Sequence, residues 1–114
     1  MTSVSYETSR SLKEKLVLAA LFSKERNESL RRPARRLLSG YRWSDLVHQI
    51  VFDLVMKTPL SRRDILKSEL PGLLTRRGFP DYDLSWLSTE VSSEQAIASL
   101  RELARQTRHH DRTP

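Results

Sequence analysis

The sequence predicts an all-α fold, a single compact domain of five to seven helices. Three observations carry that prediction. Every apolar stripe longer than five residues recurs with the helical period, and no apolar–polar alternation is long enough for a strand. A Ser-x-x-Glu/Gln capping box stands before two of the stripes, at Ser11 and Ser92. The 3 Gly and 5 Pro fall mostly where a helix would start or stop.

The first helix is expected from Ser11 to Ser23, with Leu12, Leu16, Ala19 and Ala20 at helical spacing and Val17 and Leu21 widening the stripe. Lys24 to Glu28 reads as a polar turn. Pro33 has no N–H to donate and suits a first turn, so a short helix from Arg32 to Ser39 is expected, closed by Gly40. Ser44 is placed to cap the strongest helix, whose stripe is Leu46, Val47, Ile50, Val51, Leu54 and Val55. A fourth element starts at Ser61, with Asp64 in its first turn, and carries Ile65, Leu66, Leu70, Leu73 and Leu74. Pro71-Gly72 is expected to break or bend it. One helical turn is expected around Trp86. A last helix follows Ser92, with Ala96, Ile97, Leu100, Leu103 and Ala104 inward. Residues 11–106 then form the helical domain, with flexible segments at 1–10 and 107–114. The expected core is Leu16, Ala20, Val47, Ile50, Val51, Leu54, Ile65, Leu66, Leu74, Ile97, Leu100 and Leu103.

Composition narrows the function. With no Cys, disulfides and thiolate metal sites are excluded. Residues 1–10 are polar, unlike a signal peptide, and the longest apolar run, Leu16 to Phe22, is too short to span a membrane. The cytoplasm is therefore the expected compartment. The net charge is +6, and all but five of the basic residues are Arg. Lys24, Arg26, Arg31, Arg32, Arg35, Arg36 and Arg42 face only Glu25 and Glu28 within their segment, and clustered Arg of this kind can grip phosphates. Such a run can equally be a solvated face. No helix presents the polar base-reading residues of a sequence-specific DNA reader.

Catalytic signatures are missing. There is no glycine-rich phosphate loop, and most carboxylates have Arg or Lys three or four residues away, as on a solvated helix face. His109-His110 lack further metal ligands in the sequence. His48 borders the apolar stripe, where it can donate a hydrogen bond to Asp45 on the same helix face or stand as a partly buried histidine that orients the helix. No cofactor, metal or enzymatic activity is expected. Tyr41-Arg42-Trp43 can serve as a binding edge or as a lid on the core, with Trp43 stapling the helix start against His48. Tyr41, Trp43, Phe79 and Trp86 are the candidate contacts for a protein partner, since aromatics anchor interfaces. Arg31, Arg32, Arg35, Arg36 and Arg42 are the candidates if the partner is nucleic acid.

The pattern also resembles a family. Glu14 to Phe22, Leu37-Leu38, Tyr41 to Asp45 and Leu46 to Phe52 are similar to the helical amino-terminal domain of DnaB-type replicative helicases. A relative of that domain ends the primase that binds them. The likeness rests on a glutamate before an alanine- and leucine-rich helix. It continues in an aromatic residue before a polar turn, and in His48 followed by Ile50 and Phe52. The leucine pattern of Glu94 to Ala104 looks like the closing helix of that domain. The likeness covers residues 12–105, with no ATPase domain, primase core or zinc motif attached. It implies a helical protein–protein interaction domain, an adaptor that docks on a helicase or primase in DNA replication.

Overall fold

Helix α1 (Ser5–Phe22) lies at the centre, and its own sequence explains why. Val17, Leu18, Ala19, Ala20, Leu21 and Phe22 are consecutive and all buried. A helix that is apolar on every side has no solvent face and must be surrounded. In the computed structural model, which describes residues 5–23 and 27–111, α1 touches every other helix and the 3₁₀ turn Ser85–Ser88. Those helices are α2 (Asn27–Leu37), α3 (Leu46–Lys57), α4 (Arg63–Arg76) and α5 (Ser93–Asp111). A second 3₁₀ turn, Leu60–Arg62, leads into α4. The fold is all-α, with no strand among the described residues, and one contiguous core joins all five helices. No helix there is long and apolar enough to cross a membrane.

Several boundaries differ from expectation for identifiable reasons. Helix α1 starts at Ser5, so part of the segment expected to be flexible is helical and Ser11 lies within the helix. Lys13 Nζ donating to Ser9 Oγ at 3.1 Å and Arg10 pairing with Glu14 are i,i+4 contacts that support the extension. At the other end α5 runs on to Asp111, past the expected limit at 106. Helix α2 starts earlier than expected, and Pro33 sits inside it. Leu30, Ala34 and Leu38 are buried along one side, and Arg31, Arg32, Arg35 and Arg36 lie off that stripe. Burying a leucine stabilises by about 1.5–3 kcal/mol, so two leucines offset the ~3 kcal/mol of an interior proline.

The same arithmetic keeps α4 continuous across Pro71 and Gly72, against the expected break. Both lie on its exposed side, while Leu66, Leu70 and Leu74 are buried opposite. Helix α4 ends in a Schellman motif: Phe79 N donates to Leu74 O at 2.8 Å and Gly78 N to Thr75 O at 3.1 Å. Gly78 takes φ +96°, which a side chain would strain.

Two expected core residues are exposed, Ile65 at 46 % and Ile97 at 41 %. On α4 the inward stripe begins at Arg63 and passes through Leu66, which turns Ile65 outward. On α5 the inward residues are Ala96, Ser99, Leu100, Leu103 and Ala104. Small residues there, with Ala19 and Ala20 of α1, let two helices approach closely, and Ile97 falls outside that seam. The Ser92 capping box is formed, with Gln95 N donating to Ser92 Oγ at 3.1 Å and Ser92 N to Gln95 Oε1 at 3.4 Å.

Candidate functional site

The start of α3 is organised by a carboxylate buried one helix away. Glu14 of α1 is fully buried, unlike the solvated carboxylates that its sequence context suggests. Its Oε2 accepts from the Tyr41 hydroxyl at 2.5 Å and from Ser44 N at 2.9 Å. Its Oε1 accepts from Ser44 Oγ at 2.7 Å and lies 2.7 Å from His48 Nδ1. Arg10 Nε stands 3.7 Å from Oε2 and donates to the Tyr41 hydroxyl at 3.0 Å, while Arg10 Nη2 donates to the carbonyl of Arg42. Burial alone would push the Glu14 carboxyl up, but the bonds from His48, Tyr41 and Ser44 outweigh it and hold it below its ordinary value. Burial first, and then the neighbouring Glu14 charge, push the Tyr41 phenol up despite Arg10. Glu14 is therefore an anion inside the fold, with Tyr41 its neutral donor.

This arrangement explains why Ser44 does not cap α3. Both its N–H and its hydroxyl are engaged by Glu14, and the cap passes to Asp45, whose Oδ1 accepts from Val47 N at 2.8 Å. Asp45 Oδ2 accepts from the Tyr82 hydroxyl at 3.0 Å. The expected Asp45–His48 hydrogen bond is not formed, since His48 Nε2 lies 4.0 Å from Asp45 Oδ2 and Nδ1 turns to Glu14 instead. Nor does Trp43 staple His48. Its ring packs on Phe52, 5.0 Å between centroids, with Tyr41 edge-on at 5.0 Å. The ring against His48 is Trp86, at 5.4 Å and 74°. Lys15 Nζ stands 6.0 Å from the centre of that indole.

Serine, histidine and glutamate together invite comparison with a hydrolytic triad, but the order is wrong. In a triad the imidazole stands between the hydroxyl and the acid. Here the acid stands between them, and His48 Nε2 is buried with no bonding partner among the described residues. The cluster can hold α1, the Tyr41–Ser44 segment and α3 in fixed relation. It offers no activated nucleophile.

The candidate contacts divide accordingly. Tyr41, 7 % exposed, belongs to the core and to the Glu14 cluster. Trp43 and Trp86 are half-buried beside the start of α3, and Phe79 is half-buried at the end of α4. Sequence reasoning missed Leu46, 57 % exposed on the first turn of α3, because it was read only as a member of the apolar stripe.

The basic cluster also divides. Arg31 Nη2 and Arg35 Nη2 both donate to the carbonyl of Met56 in the last turn of α3, at 2.7 and 3.1 Å. Arg32, Arg36 and Arg42 are exposed. Lys24 and Arg26 lie outside the described residues. Arg63, which in the sequence stands in a second basic run with Arg62, Lys67, Arg76 and Arg77, is 1 % exposed and donates from Nη1 to Leu21 O at 2.6 Å and from Nε to Thr58 O at 3.1 Å. It thus closes the carboxyl end of α1 and the residue after α3, where helix dipoles favour cations. Among the described residues no cluster of His, Asp or Glu could hold a metal ion. The side chains of His109 and His110 lie outside them. A cleft of about 460 Å³ is lined by Phe22, Asp64, Lys67 and Val91, among others, but by no member of the Glu14 cluster. No family model, curated protein or solved structure matches the chain.

Proposed function

We propose that the chain is a non-enzymatic helical interaction module that docks on a protein partner through the start of α3. The observation that supports this most is Leu46: a large aliphatic side chain left 57 % exposed beside the half-buried Trp43. Tyr82 and Trp86, bonded to Asp45 and packed on His48, flank the same turn. An apolar centre among rigid aromatics is the composition of an interface anchor. The Glu14 cluster beneath would keep that surface preformed, so little ordering entropy is lost on docking. The likeness to the helicase amino-terminal domain makes a replicative helicase, or the primase that binds it, the partner to test, in the cytoplasm.

Leu46→Asp should leave the melting temperature unchanged, because the side chain is already exposed, while weakening binding to the purified helicase or primase at least tenfold. Fluorescence anisotropy at low and high salt reads this directly. Equal binding by wild type, Leu46→Asp and Trp43→Ala would remove the surface from consideration. Binding to neither protein would remove those partners. The exposed Arg32, Arg36 and Arg42 favour a second reading, nucleic-acid binding. In that case affinity for a duplex falls steeply with salt and drops when the three are changed to Gln.

A further inference from the structure

The far end of α3 carries a different kind of site. Met56 O accepts from Arg31 Nη2 and Arg35 Nη2 together, so one oxygen holds two guanidinium groups side by side. A third guanidinium, of Arg63, donates to Thr58 O two residues beyond Met56, and burial first, and then the Arg31 charge, push it down to about 10. Its Nη2 is buried without a partner. No carboxylate among the described residues stands within ion-pair distance of any of the three. The two helix ends that they close supply about half an elementary charge each, so among the described residues the three arginines are in excess by roughly two positive charges.

Helix capping alone accounts poorly for that excess, because one arginine on Met56 O would suffice. Arg31 and Arg35 each commit one N–H to the carbonyl, leaving the rest of two planar forks for an oxyanion with several acceptors. We propose that Arg31 and Arg35, with Arg63 behind them, bind a phosphate group that is free or terminal. Such a group carries a charge of about −1.5 to −2 at neutral pH and matches the excess, whereas a diester in a nucleic-acid backbone carries only about −1. This site lies at the opposite end of α3 from Leu46, so it stands or falls independently of the docking surface.

The test is an amide NMR titration of the full chain with inorganic phosphate, at ionic strength held constant with sodium chloride. Saturable shifts centred on Met56 and Lys57 are expected. Arg35→Gln should weaken the apparent affinity by about tenfold, the loss of one charged hydrogen-bonding partner. Arg36→Gln, on the same helix without a bond to Met56, should leave it within twofold. If Arg35→Gln loses its fold, Arg35→Lys is read in its place, and it too must weaken phosphate by keeping the charge without the fork. A short duplex without terminal phosphates should not displace the ion at equal phosphate concentration. Shifts that rise linearly without saturating would overturn the proposal. So would equal losses in Arg35→Gln and Arg36→Gln, or displacement by the duplex.

Discussion

Glu14 is a charge that the fold accepts because it is fully bonded. Removing such a group from water costs several kcal/mol, and only converging donors return it. Glu14→Gln keeps the shape but loses the charge and turns an NH₂ group toward existing donors. We expect it to destabilise the domain by about 3 kcal/mol, lowering the melting temperature by ten degrees or more. The pH dependence has a definite sign. The folded-state value lies below the ordinary one, so the contribution is complete above the unfolded value near 4.3 and is lost as pH falls through the lower, folded value. Urea midpoints between pH 6 and 3 should therefore drop more steeply for wild type than for Glu14→Gln. In the sequence, Glu14 reads as the third position of a capping box. Of its partners Tyr41, Ser44 and His48, only His48 lies on α3, so no helical spacing aligns the three. Only the packing of α1 against α3 and the segment before it brings them to Glu14, and pairing of distant segments has no local signature.

At the scale of helices, some local rules held and some did not, since the Ser11 box lies inside α1 and the cap of α3 passes from Ser44 to Asp45. The Ser92 box, the glycine-closed end of α4 and the inward stripe of α3 all follow from spacing. They failed where burial outweighed propensity, at Pro33 and Pro71, and where a stripe was wide enough to be centred one residue off, at Ile65 and Ile97. Gly72 is such a residue, held in α4 by its neighbours at a loss in backbone entropy. Its φ is not positive, and an added Cβ would meet only Arg76 Nη2, at 3.8 Å. Gly72→Ala should accordingly stabilise the protein by about 0.5–1 kcal/mol, read as a higher urea midpoint with an unchanged slope.

Across the whole molecule, the all-α class and the composition of most of the core were legible, because period and burial are properties of single helices. The neighbours of each helix were not. Apolar stripes say that a face is buried without saying against what, and the arginines that close α1 and α3 come from helices remote in sequence.

The central position of α1 also has a consequence in time. A ribosome makes this helix before the other four, yet much of its apolar surface is covered by α5, the latest of the five to be made. Until α5 has been made the run Val17 to Phe22 therefore lacks its final cover, and native packing of α1 must await it. A polypeptide ending at residue 92 should accordingly bind a hydrophobic dye and melt without cooperativity, whereas adding α5 as a separate peptide should restore a sharp transition. Such a nascent chain is an apolar segment seeking a partner, and any chaperone that attends it would have to hold α1 until α5 arrives.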